Sequence, residues 1–180
     1  MSSRDPAVHD GLRLNVGCGT DYRPGHVNID ASDALPRIDL RIDLKQSHLT
    51  DHFTPGSVHY VLANDVLEHV HRWEAIAMLE QFHAVLRPGG TCEIRVPDAA
   101  WILRTWRYGV DRKITLLFGG QDRPQGRDPA MDEARSRNPE WFCHRYAWTR
   151  RSLTAELRAV GFSSVRTRRA GTNFVAAAVK

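Results

Sequence analysis

The stretch "LNVGCGTDYRPGHVNID", residues 14–30, restricts the fold of this chain more than any other. Leu12–Val16 is a short apolar-rich run halted by Gly17-Cys18-Gly19, and Val27–Asp30 resumes that character and ends in an acid. Each reads as a strand, the first stopped by a tight turn. Only Thr20–His26 separates the turn from the second strand, whereas a parallel crossover ordinarily takes a dozen or more residues. We therefore expect a bare loop where an α/β sheet would normally place its first helix. The spacing also argues against a dinucleotide site. The G-x-G-x-x-G fingerprint needs glycine at position 22, which is tyrosine, and an acid about 20 residues on, whereas Asp30 comes far sooner. A ligand without a pyrophosphate does not need that third glycine.

Alternation of strand and helix continues along the chain. "IDLRIDL" at 38–44 and "VHYVLAN" at 58–64 read as strands, and "TCEIRVP" at 91–97 as a fifth. Between them, residues 71–86 place Trp73, Ile76, Ala77, Leu79, Phe82, Val85 and Leu86 at helical spacing, with Pro88-Gly89-Gly90 as the stop. A last helix is expected from about Arg150 to Val160, with Thr149 as N-cap and Gly161 at its end. "SSVRTRR" and "NFVAAAVK" then close the chain as an antiparallel hairpin around Ala170-Gly171-Thr172. The expectation is an α/β fold with a seven-stranded, mostly parallel sheet covered on both faces and ligands at the carboxyl ends of its strands. Residues 98–146, rich in Arg, Gly, Pro and aromatics, are too long for an ordinary connection and read as a cap or insertion.

Composition bounds the rest. A chain of 180 residues supports a single domain, 1–180, and 42% apolar with 26% charged residues is ordinary for a soluble protein. No apolar run approaches the ~20 residues of a membrane span, and "MSSRDPAVHDG" lacks the apolar core of a signal peptide, so a cytoplasmic location is expected. Cys18, Cys92 and Cys143 are scattered, which suits a reducing compartment and gives no zinc spacing. The net charge of +4 mildly favours acidic partners, and arginines gather late, among them Arg104, Arg107, Arg112, Arg123 and Arg127.

"VGCGTD" followed by "NID", then "DL" at 43–44, "ANDVLEHV" at 63–70 and "LRPGG" at 86–90 together resemble a class I S-adenosylmethionine-dependent methyltransferase. More narrowly the chain resembles a compact bacterial subgroup whose glycine turn runs almost directly into "NID". That subgroup also carries an "FGGQ" element, here 118–121, and a late stretch seen here as "HRYAWTRRSLTAELRAVGF", 144–162. The resemblance implies a Rossmann-like fold and S-adenosyl-L-methionine (SAM) as cofactor. It implies that Gly17 and Gly19 let the backbone approach the methionine portion and sugar, where a Cβ would collide, and that Cys18 between them also belongs to the cofactor site. Asp30 would accept from the ribose hydroxyls, Asp43 or Leu44 would meet the adenine, and Asn64 and Asp65 would face the sulfonium. It further implies small-molecule tailoring, such as that of bacterial surface polysaccharides.

Methyl transfer aligns nucleophile, methyl and sulfur, and removes a proton when the nucleophile is a hydroxyl. Asp65, His69 and His144 are the catalytic candidates, His144 because aromatic neighbours can hold its imidazole neutral. Asp65, Glu68 and His69 also resemble the grouping of metal-dependent ubiquinone-pathway O-methyltransferases. We read Glu68 and His69 instead as orienting the following helix, without a metal. The expected reaction is O-methylation of a sugar-containing or anionic small acceptor, a phosphorylated one included. RNA methylation and a non-catalytic cofactor-binding partner subunit are the alternatives.

Overall fold

The computed structural model describes residues 11–121, 126 and 128–180. Residues 1–10, on which the signal-peptide argument rests, and Arg123 and Arg127 lie outside the described residues. Seven strands form one sheet: β1 (Leu12–Val16), β2 (Val27–Asp30), β3 (Leu40–Arg41), β4 (Val58–Asn64), β5 (Leu86–Pro97), β6 (Ser164–Ala170) and β7 (Asn173–Val179). Their order is β3-β2-β1-β4-β5-β7-β6, with β7 antiparallel to both neighbours and every other pair parallel. Helices α1 (Arg72–Val85) and α5 (Arg150–Val160) flank β5 in sequence. Between β5 and α5 lie α2 (Ala99–Arg104), α3 (Val110–Leu117) and α4 (Pro129–Arg137), the segment expected as a cap.

The expected bare loop is present: no helix forms between β1 and β2. Its place is taken by hydrogen bonds from two buried asparagines that face each other across the strand pair. Asn15 Nδ2 donates to Asn28 Oδ1 (3.0 Å) and to the Asp21 carbonyl (2.8 Å). Asn28 Oδ1 also accepts from the Arg23 amide, and its Nδ2 donates to the Arg23 and His26 carbonyls and to Asp39 Oδ2. Beside this network Arg13 lies 4.4 Å from the centre of the Tyr60 ring.

The opposite face of the sheet is apolar. Alternation along the strands sends Leu14, Val16, Ile29, Val61, Ala63, Ile94 and Phe174 into the core with Leu79 and Phe82 of α1 and Leu153 and Leu157 of α5. α1 and α5 pack on each other over this face. Three expectations shift. The buried stripe of α1 is Ala75, Met78, Leu79, Phe82 and Val85, while Trp73 is 69% exposed and stacks on His71. Pro88-Gly89-Gly90 lies inside β5 as an irregularity, because Leu86 pairs with Val58 and Thr91 with Tyr60. The third strand, expected over 38–44, is only Leu40–Arg41, because Asp43 folds into a turn in which its carboxylate accepts from the Lys45 amide and Gln46 Nε2, both at 3.0 Å.

Candidate active site

β1 runs on to β2 at one side and β4 to β5 at the other, so the chain parts in opposite directions where β1 and β4 end, and a crevice opens there. Gly17 and Gly19 line it with φ of 61° and 53°. A Cβ on Gly17 would stand 2.5 Å from Val66 Cγ2, so the fold's own packing, besides any ligand, requires glycine. Asp30 ties the turn to β2: its Oδ2 accepts from the Gly19 amide and its Oδ1 from the Ser32 amide, each at 2.9 Å. Asp30 also lines a cavity of about 210 Å³.

Asp43, Leu44, Asp65 and His69 line this same cavity. Met131 and Ala134 of α4, with Trp141 and Phe142 beyond it, line the cavity as well. Cys18 and Asn64 are not among the lining residues. The Cys18 amide donates to the Ile29 carbonyl (3.0 Å), and burial, with Asp30 nearby, pushes its thiol up to about 12. Asn64 falls on the sheet face of Leu62 and Tyr60 by alternation, away from the apolar core.

A second cavity of about 290 Å³ adjoins the first, and Asp65 lines both. Asp65 is the sole non-glycine with positive φ among the described residues, at 55°, an αL backbone that aspartate tolerates better than most residues. Its carboxylate is fixed by an ion pair with Arg95 and by Asn173 Nδ2 at 2.9 Å. Sequence reasoning missed both partners. The signal for Arg95 was a charge alternating with the apolar residues of "EIRV".

With Asp65 so occupied, the groups that share a centre are Glu68, His69 and His144, whose ligand-type atoms lie within 4.8 Å of one another. The His69 and His144 rings meet edge to face with centroids 4.9 Å apart. Burial, then His144, pulls His69 down to about 4, and burial also lowers His144, so the site favours the neutral form of both imidazoles. Glu68 is raised by burial and then by Asp65, and its buried Oε2 has no hydrogen-bond partner among the described residues. One carboxyl and two neutral imidazoles can take a proton from a nucleophile, and they are also donors a divalent ion accepts.

The "FGGQ" element positions His144. The Gly119 carbonyl accepts from the His144 amide (3.0 Å), and a Cβ on Gly119 would lie 3.0 Å from His144 Cε1. At Gly120, with φ of 80°, a Cβ would sit 1.4 Å from the Phe142 carbonyl oxygen. The two halves of the cap therefore touch backbone to backbone through glycine.

Comparison with known proteins bears on what this crevice binds. Residues 14–167 match a family profile described as a methyltransferase domain. Among curated protein sequences none matches the chain. Solved structures similar to it include SAM-dependent methyltransferases from three sources. For that from Archaeoglobus fulgidus the TM-score is 0.63 at 11% identity, over 97% of this chain and 89% of that one. For that from Methanosarcina mazei it is 0.63 at 16% identity, over 95% and 92%. For that from Mesorhizobium loti it is 0.62 at 13%, over 97% and 93%. A family match over most of the chain, joined to a cavity at the switch point of this strand order, makes the protein a member of the methyltransferase-domain family, with the fold of SAM-dependent methyltransferases.

Proposed function

We propose that the enzyme O-methylates a sugar-containing or anionic small molecule, with the second cavity as the acceptor site. The observation that carries this reading is the pair of adjoining cavities with Asp65 between them and His144 on the acceptor side. Asp65, Thr115, Thr172 and Asn173 give that cavity the hydrogen-bonding groups a polyhydroxylated acceptor uses, beside apolar Ile102 and Leu116.

On this reading the acceptor hydroxyl oxygen attacks the cofactor methyl carbon as the C–S bond breaks, and S-adenosylhomocysteine leaves as a thioether. The hydroxyl proton passes to His144, which burial keeps in its free-base form, with Glu68 beside it. Asp30 accepts from the cofactor ribose, Asp43 or Leu44 meets its adenine, and residues 98–146 act as a cap on one methyltransferase unit. Cytoplasmic location belongs to this reading, and no helix among the described residues is long and apolar enough to cross a membrane.

Calorimetric titration with SAM and S-adenosylhomocysteine, repeated on Asp30→Ala, tests the cofactor site, and binding should be saturable and lost in the variant. A panel of phosphorylated and neutral sugars then tests the acceptor class. His144→Gln should lower kcat about 10²-fold or more with cofactor affinity retained. Full activity in that variant would remove His144 from the chemistry.

A further inference from the structure

The cap turns an apolar face outward. Leu103 of α2 is 60% exposed, Trp106 in the following turn 90%, and Val110, Ile114 and Phe118 of α3 and its C-cap 72%, 51% and 59%. The last three recur every four residues and so form one stripe, and no residue of α3 is buried. Lys113 Nζ donates to the Leu103 carbonyl at 2.9 Å, which sets α2 and its exposed leucine beside α3. A helix in water ordinarily turns such a stripe toward the core, and a contiguous exposed patch of large apolar side chains marks a binding surface.

Charge identifies the occupant. Between residues 99 and 118 the basic residues are Arg104, Arg107, Arg112 and Lys113, and Asp111 is the lone acid. No carboxylate among the described residues pairs with any of the three arginines. Apolar side chains, an outward tryptophan and unpaired arginines on one short amphipathic surface make up an interfacial segment. The apolar part enters the acyl boundary, and the cations meet anionic headgroups. A second copy of the chain would bring the same four cations against themselves.

We infer that α2, α3 and the turn between them dock this enzyme on the surface of an anionic lipid bilayer. Ile102, Thr115 and Leu116 of the same two helices line the second cavity, so docking brings that cavity to headgroup level. That last step rests on the acceptor reading above, and the acceptor is then a polar group carried on, or held at, the membrane. Docking itself rests only on the surface.

The test is flotation of the full chain with phosphatidylcholine vesicles, with and without phosphatidylglycerol, alongside light scattering for oligomeric state. Saturable binding to the anionic vesicles that weakens with salt is expected, with little binding to phosphatidylcholine alone. Ile114→Glu should weaken binding at least about tenfold, and Arg107→Glu about fivefold or more. Both positions are exposed, so calorimetric SAM affinity should be unchanged in both variants. Absence of vesicle binding, or binding indifferent to charge and to Ile114→Glu, overturns the proposal. So does a dimer that Ile114→Glu converts to monomer without vesicle binding, which would make the face a self-interface. Loss of SAM binding with vesicle binding intact would instead sink the enzyme reading and leave docking standing.

Discussion

Two of the sheet's crossovers to parallel neighbours solve one problem by opposite means. From β4 to β5 the chain buries α1, with Leu79, Phe82 and Val85 fully inaccessible against apolar strand faces. From β1 to β2 it buries no helix, and on the other face of the two strands it makes the polar Asn15 and Asn28 inaccessible. Apolar burial is large and indifferent to direction, whereas an asparagine fixes particular carbonyls and amides in place. The difference teaches a division of labour: the β4–β5 half supplies stability, and the β1–β2 half supplies the shape of the glycine turn.

Removing the strongest apolar anchor should give the largest stability effect. Phe82→Ala is expected to cost about 3–5 kcal/mol in urea unfolding, with SAM affinity of the folded protein nearly unchanged. Asn28→Leu should cost less, about 2–3 kcal/mol, by leaving the Arg23 amide and the Arg23 and His26 carbonyls unpaired. It should nonetheless weaken SAM binding markedly, because those bonds shape the loop carrying Gly17 and Gly19. An Asn28→Leu protein that binds SAM normally would break the comparison.

Glu68, beside the junction of the two halves, sharpens it by pH. Its folded-state value is raised above the ordinary 4.5, so its contribution is fully present below 4.5 and is lost as pH rises through the folded value. Glu68→Gln removes that dependence, and Tm by scanning calorimetry at pH 8 should rise by roughly 3 °C or more over the parent. The smallest effect expected is none: a chelator should leave turnover unchanged. Activity lost to the chelator and restored by a divalent cation would recast Glu68, His69 and His144 as metal ligands.

Sequence made legible what depends on neighbours in the chain. β1, β2 and β4 are apolar runs bounded by turns, and α5 carries its own cap signals: Thr149 accepts from the Ser152 amide, and Gly161 is left-handed as the stop requires. The missing first helix was visible as simple arithmetic on Thr20–His26. What replaces it was not, because Asn15, Asn28 and Asp39 are 11 and 13 residues apart and meet only through strand register. Trp73 misled because helical spacing fits more than one stripe, and the sheet selected the neighbouring one. In the site, Asp30, Asp65 and His144 end strands or sit in aromatic surroundings and could be named. Arg95 and Asn173 were hidden because long-range pairing alone brings them to Asp65.

The clasp at Gly120 has a consequence for timing. Phe142, whose carbonyl would touch a Cβ there, walls the first cavity, and His144 two residues on lines the second, on the proposed reading the cofactor and acceptor sites. Lifting this segment to let S-adenosylhomocysteine out would also withdraw the imidazole proposed as base. Product departure and disarming of the chemistry would then be one event. The enzyme would return to readiness only when a fresh cofactor lets the segment settle again, so solvent viscosity should slow its turnover where it leaves the bond-forming step alone.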